Sequence, residues 1–157
     1  MAHRNRLLAA AGPPAAAAVG ILGTEPGSAW FRRLDKPAWY PPAQTFGIVW
    51  TGLYTALGWA AGEVLSRDPA RRRAFARAYA ANLVLNAGWP PLFFRAHRPR
   101  AAAVESAVLT ASTVDLVRRA APVSRPAAAA LVPYAAWTAF ATALTVAIAR
   151  RNPRHGS

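Results

Sequence analysis

The sequence predicts an all-α integral membrane protein, a bundle of five transmembrane helices with a structured loop between the first two. Three observations carry that expectation. Apolar runs of about 17–23 residues, long enough to cross a bilayer as helices, recur along the 157-residue chain between short polar connectors. Arginine falls between those runs and hardly ever inside them, as expected where charge is costly. The runs also lack the alternation of barrel strands, which leaves helices to satisfy the backbone in hydrocarbon.

The helices are expected in one domain over residues 1–157, at about 7–23, 46–65, 74–94, 101–117 and 127–149. The first run follows Arg4 and Arg6. Its basic start, apolar middle and small residues up to Ala29 also resemble a secretory leader, but the early Pro13-Pro14 and the long alanine run favour a span. The second is free of charge until Glu63. The third meets Trp89-Pro90-Pro91 near its end, which predicts a break or kink, because proline removes a helix hydrogen bond and clashes with the preceding turn. The fourth carries Glu105 and Asp115 near its two ends. Ten positions apart on one helix, they form no close acid–base pair, and the reading is snorkelling to the interface or an interhelical hydrogen bond. The fifth contains Pro133, a weaker kink.

Composition narrows the function classes. Hydrophobic residues make up 54% of the chain, yet mean hydropathy is only +0.14, because alanine supplies much of the apolar content and arginine lowers the average. A net charge of +13 raises nucleic-acid binding as a rival. Against it, the basic residues flank every apolar run, form no single stripe and build no lysine-rich tail. They divide almost evenly between the two sides of an alternating topology, so orientation stays open. With no cysteine, disulfides and thiolate metal sites are excluded. His3, His97 and His155 sit near the termini or in a connector and make no cluster, so neither a metal nor a required cofactor is expected. There is no nucleophile–base constellation and no phosphate loop.

The six tryptophans point to a pocket. Trp39-Tyr40-Pro41-Pro42 reads as an aromatic-rimmed turn leading into the second helix. There Trp50 and Tyr54 stand at i and i+4 on one face. Asn82, Asn86, Trp89 and Phe93 make one stripe on the third helix. Pro133, Trp137, Phe140 and Leu144 share a face on the fifth. Stripes of this kind usually pack cores, but a buried amide must find a partner, so the two asparagines either tie helices together or meet a ligand. Aromatic walls with a few amides suit a wide, flat, mostly apolar ligand, with the rim arginines and Lys36 placed to pair with its carboxylates. Ala103, Ala107 and Ala111, and likewise Gly58 and Gly62, are small-residue rows for helix packing or a dimer.

The run Trp30-Phe31-Arg32-Arg33-Leu34-Asp35-Lys36-Pro37-Ala38-Trp39-Tyr40-Pro41-Pro42, with Phe46, Val49-Trp50 and Leu53-Tyr54, resembles the TspO/MBR family, the tryptophan-rich sensory proteins that include the translocator protein or peripheral benzodiazepine receptor. Asn86, Trp89 and Phe93-Phe94 match its third helix, and Leu131-Val132-Pro133-Tyr134, Trp137 and Phe140-Ala141 its fifth. The resemblance implies a five-helix bundle, commonly a homodimer, that binds porphyrins and related tetrapyrroles, with benzodiazepine-type drugs and sterols in some members. It implies a pocket beneath the first loop lined by Trp39, Trp50, Tyr54, Asn82, Asn86, Trp89, Phe93, Trp137 and Ala141. It further implies a receptor-like or regulatory role, or alternatively transport of the tetrapyrrole or its light- and oxygen-dependent degradation, for which Trp50 and Trp137 would be the catalytic positions. The chain departs from the pattern at Thr145, where asparagine is usual, and at Asn82, often glutamine. The tyrosine that precedes a basic residue in the sterol motif of animal members is absent. Heavy Ala, Arg and Pro usage fits a GC-rich bacterial genome and so a bacterial plasma membrane.

Overall fold

The computed structural model describes residues 2–153, with residues 2–8 and 10 given as backbone alone. Arg154 and His155 lie outside the described residues, as do the side chains of His3, Arg4 and Arg6. Six α-helices are present among the described residues: α1 (Ala2–Gly23), α2 (Ala29–Arg33), α3 (Ala43–Arg67), α4 (Arg72–Pro90), α5 (Pro99–Ala120) and α6 (Arg125–Arg151). The five long helices answer to the five expected runs, and α2 is a short helix inside the loop between the first two. Each long helix begins before its apolar run, and α3, α5 and α6 also end after theirs. Ser124 caps α6 by accepting from the Ala127 N–H at 3.3 Å, and Ser28 caps α2 by accepting from Phe31 N–H at 3.2 Å.

The double proline does not sharply end the third span. The α-helix runs through Pro90 and passes into a π-helical turn, Pro91–Arg95, whose closing bond takes the Ala96 N–H to the Pro91 carbonyl at 2.9 Å. The prolines supply no N–H there, and the wider turn re-spaces the ladder. Gly23 of α1 packs against this turn. A Cβ at Gly23 would lie 2.7 Å from Pro91 Cδ and 2.9 Å from its backbone nitrogen. Pro13 sits fully buried within α1, which packs along α3 and α4.

Helix contacts close a ring in the order α1, α3, α6, α5, α4 and back to α1. Large apolar side chains face outward from that ring as well as into it, alongside buried amides and hydroxyls. Val19 and Ile21 on α1, Ile48 and Trp59 on α3, Val84 on α4, Val104 and Val108 on α5 and Val132 on α6 are exposed. Asn82, Asn86, Ser106, Thr113, Thr138 and Thr145 are buried. Apolar side chains outward on all five long helices, with amides and hydroxyls inward, is the arrangement that a hydrocarbon solvent selects. By length and composition, among the described residues, only α6 is apolar enough to cross a bilayer, and residues 11–23 form a shorter apolar stretch. The other helices fall short because alanine is only weakly hydrophobic and because α4 and α5 carry asparagine, arginine, acidic and hydroxyl residues.

Two core clusters stack along the bundle. One gathers Leu53, Leu57, Val64, Phe75, Tyr79, Leu116, Leu131 and Tyr134. The other, at the end that bears α2, gathers Phe31, Leu34, Phe93, Phe94, Ala102, Leu144 and Ile148. Gly23→Ala should lower stability by about 1–3 kcal/mol, because the proline ring and backbone cannot give way. Gly52→Ala, where an added Cβ meets nothing within 4 Å, should be neutral or stabilising. Thermal unfolding of the two variants in detergent checks the contrast.

Candidate functional site

The asparagine stripe of α4 resolves into a hydrogen-bond chain across four helices. Tyr54 Oη on α3 donates to Asn86 Oδ1 at 2.6 Å, and Asn86 Nδ2 donates to Tyr134 Oη on α6 at 2.7 Å. Tyr134 in turn donates to Asn82 Oδ1 at 2.9 Å. The Asn82 amide then donates to Ser112 Oγ at 3.2 Å and Thr113 Oγ1 at 3.1 Å on α5. Asn82 and Tyr134 are completely buried. Of the two uses expected for these amides, the observed one is tying helices together. A second polar seam joins α5 to α6, where Thr142 Oγ1 lies 2.9 Å from Ser106 Oγ and 3.0 Å from Thr110 Oγ1.

Above the chain, toward α2, aromatic rings form a continuous series. Trp39 meets Phe140 edge-on at 5.7 Å, Phe140 meets Trp137 at 5.2 Å, and Trp137 meets Phe46 at 5.9 Å. The series continues from Phe46 through Tyr40 and Phe31 to Phe93 and Phe94, with ring centroids 5.0–6.3 Å apart. Trp89 stacks on Phe93 at 4.9 Å with the planes only 12° apart. These separations are those of favourable aromatic pairs, so the rings fill one another's space in this structure.

Of the expected pocket residues, Trp39, Trp89, Phe93 and Trp137 thus fall in one ring series. Trp39 is half-exposed at its loop end. Trp50 and Tyr54 form a neighbouring group with Tyr134, at 5.2 Å from Trp50 to Tyr54 and 6.2 Å from Trp50 to Tyr134. Ala141 is partly buried one turn past Trp137, and its carbonyl accepts from Thr145 Oγ1 at 2.8 Å. A cavity of about 670 Å³ lies elsewhere, between α1 and α3, and of the expected residues only Tyr54 lines it, beside Pro14, Ala17, Gly58, Trp59 and Gly62.

The loop over the rings is a fastened lid. Asn152, at the end of α6, accepts from the Asp35 N–H at 3.0 Å and donates to the Asp35 carbonyl at 2.9 Å. Arg151 reaches the Asp35 carboxylate at 3.4 Å. Inside the loop, Lys36 donates to the Phe31 carbonyl at 2.7 Å and stands 4.3 Å over the Phe31 ring. Burial lowers the Lys36 pKa and raises that of Tyr40, which sits between Phe31 and Phe46. Arg32 also bonds the loop carbonyl of Gly27, and Arg95 bonds the Leu22 carbonyl at the end of α1 and pairs with Glu25 in the loop at 3.5 Å. Three of the rim cations expected to meet a ligand thus fasten the loop, whereas Arg33, Arg98 and Arg100 are exposed. His97, the one described non-glycine residue at positive φ (54°), stacks on Trp30 at 4.3 Å.

Tyr134, Ser112, Thr113 and Asn152 join the hydrogen-bond chain and the latch in addition to the residues expected from the sequence. Tyr134 was visible as the residue three before Trp137 on the same helical face. Asn152 carries no periodic signal, since its partner is more than a hundred positions away. The two carboxylates of α5 differ in fate. Asp115 pairs with Arg119 one turn on, near the helix end. Glu105 neither snorkels nor bonds another helix: both its oxygens are buried without a hydrogen-bond partner. Its position in the second turn, on the side of α5 that faces α4, turns it inward.

The comparisons with known proteins agree with this architecture. The TspO/MBR family matches residues 9–151. The chain is 35% identical to the tryptophan-rich protein TspO of Chlorobaculum tepidum, with 87% of this chain and 90% of that one covered. It is 35% identical to the translocator protein of Homo sapiens, covering 83% and 78% of the two chains. Its identity to the tryptophan-rich sensory protein of Cereibacter sphaeroides is 32%, over 92% and 88%.

Removing the Tyr134 hydroxyl should strand Asn86 Nδ2 and Asn82 Oδ1 together. Tyr134→Phe is therefore expected to cost about 1–3 kcal/mol and more than Tyr54→Phe, measured by denaturant unfolding in micelles. Asn152→Ala should loosen the lid with little change in global stability. Hydrogen exchange of the Asp35 amide would then rise about tenfold or more, and unchanged exchange would show that the latch does not hold the loop.

Proposed function

The chain belongs to the TspO/MBR family of membrane proteins, and from that membership we propose that it is a receptor-like or regulatory membrane protein that binds a porphyrin or related tetrapyrrole under its first loop. Membership supports a tetrapyrrole or sensory role in general. The observation that carries the finer reading is the ring series roofed by the latched loop, running from Trp39 through Trp137 and Phe46 to Phe93 and Trp89. A planar macrocycle replaces ring–ring contacts with ring–macrocycle contacts of the same kind, so its entry exchanges stacking partners without exposing aromatic surface. The exposed Arg33, Arg98 and Arg100 at the same end supply cations for the ligand's carboxylates. No cofactor is needed for this role. The membrane is proposed to be a bacterial plasma membrane. The assembly is proposed to be a homodimer, for which the outward Ala107 and Ala111 of α5 offer a face of small residues.

The alternative of light- and oxygen-dependent porphyrin degradation gains from one arrangement. Trp50 and Trp137 both pack against the core cluster that contains Tyr134. Transport across the bilayer gains nothing comparable from the fold.

Protoporphyrin titrated into the purified protein should quench tryptophan fluorescence saturably. Trp50→Phe and Trp137→Phe should each weaken binding about threefold to tenfold, the value of one aromatic contact. Absence of quenching in the intact protein would overturn the binding reading. Degradation requires, in addition, a new absorbing product under light that vanishes in those variants.

A further inference from the structure

Among the described residues, three buried side-chain atoms have no hydrogen-bond partner: Trp89 Nε1 and both carboxylate oxygens of Glu105. Buried polar atoms are almost always paired, and an orphaned carboxylate at membrane depth is the costliest kind. The two residues stand on adjacent helices, and the register between those helices is fixed independently. Asn82 on α4 donates to Ser112 on α5 at 3.2 Å. Trp89 lies seven residues beyond Asn82 on α4, and Glu105 seven residues before Ser112 on the antiparallel α5. Seven residues is about two turns and about 10.5 Å of rise on either helix. Both side chains therefore return to the facing sides of α4 and α5, and to the same height.

The Trp89 ring face is taken up by Phe93, stacked at 4.9 Å, which leaves the N–H edge as its open functional group. One unpaired donor and one unpaired acceptor thus share a level at the edge of the ring series. We propose that Trp89 and Glu105 form a polar subsite of the aromatic pocket, which takes a ligand group bearing an N–H beside a C=O, that is, a lactam or other cis-amide edge. The ligand N–H donates to the Glu105 carboxylate, and its C=O accepts from Trp89 Nε1. An ester edge lacks the donor. A carboxylate edge lacks it too and is repelled by Glu105, which directs acidic ends toward the arginines of the rim. This rests on the reading of the pocket as a tetrapyrrole site, and within that class it favours open-chain tetrapyrroles that end in lactams.

Biliverdin and protoporphyrin serve as probes, because both carry two propionates and only biliverdin ends in lactams. Each is titrated into the full chain by fluorescence quenching, with wild type, Glu105→Leu, Glu105→Gln, Trp89→Phe and the Trp89→Phe/Glu105→Leu double variant. Biliverdin should bind about tenfold more weakly to Glu105→Leu and to Trp89→Phe, the effect of one hydrogen bond lost at each. Glu105→Gln, which keeps an acceptor, should lose less, and the double variant should lose less than the product of the singles. Protoporphyrin should change by less than about twofold in the Glu105 variants, and Trp89→Phe, which also alters a ring of the series, should weaken biliverdin clearly more than protoporphyrin. Biliverdin binding that is insensitive to all the variants, or equal losses for the two probes, would overturn the subsite. If Glu105→Leu does not fold, Glu105→Gln and Trp89→Phe decide the matter. Failure of protoporphyrin to bind wild type, with biliverdin still dependent on Glu105, would sink the porphyrin reading and leave the subsite standing.

Discussion

Two asparagine side chains in the middle of a hydrocarbon-embedded bundle are the constraint around which the rest is arranged. Each amide carries two donors and a strong acceptor, and in that surrounding they find partners or the helix does not stay inserted. Asn86 and Asn82 find them through Tyr54, Tyr134, Ser112 and Thr113, on three other helices. Between helices already in lipid, apolar contact says little about register, because any slide exchanges one greasy surface for another. A hydrogen bond with a defined donor and acceptor does not tolerate such a slide. The chain therefore fixes the heights of α3, α4, α5 and α6 together, and with them the heights of Trp50, Trp89 and Trp137.

The two ends of the bundle use that frame differently. On one side of the chain, small residues such as Ala60, Ala61, Ala120 and Ala127 bring backbones close around Leu57, Val64 and Leu116. On the other, tryptophan and phenylalanine rings fill the space between the helices. The loop closes that end, with Phe31 and Leu34 buried and Asn152 clasping the backbone of Asp35. The lid is thus tied to the end of α6, a helix it does not directly connect.

The fold was legible because hydrocarbon thickness imposes a length and expels arginine, and both leave marks in any single sequence. The aromatic residues were legible for a similar reason: Trp50 with Tyr54, Trp89 with Phe93 and Trp137 with Phe140 each repeat at helical spacing and so share a face. What periodicity cannot carry is the identity of the partner across a gap. It placed Asn82 and Asn86 on one stripe but left open whether they meet a ligand or another helix. Tyr134 was passed over because a tyrosine on an aromatic face looks like packing until its hydroxyl is seen to join two amides. Nearness to a helix end points Glu105 to the interface or to an interhelical hydrogen bond, and its inward direction follows only from the register of α4 against α5. Hydropathy alone would have found α6, since the alanine and hydroxyl content of its neighbours hides them.

The close fit of ring against ring beneath the lid has a kinetic meaning. Phe93 is almost wholly buried, and Trp89 lies flat on it, so a guest entering between them arrives only after the rings have parted. For the ligand proposed above, the open arrangement would be the minor population, and the observed dissociation constant would be the intrinsic one divided by that fraction. Association would then saturate: beyond some concentration the binding rate would stop rising and equal the rate at which the lid and rings open. Residence time would be set by the same motion in reverse. Occupancy of such a gated interior would respond slowly to fluctuations in ligand supply and average over them, as a slow integrator does.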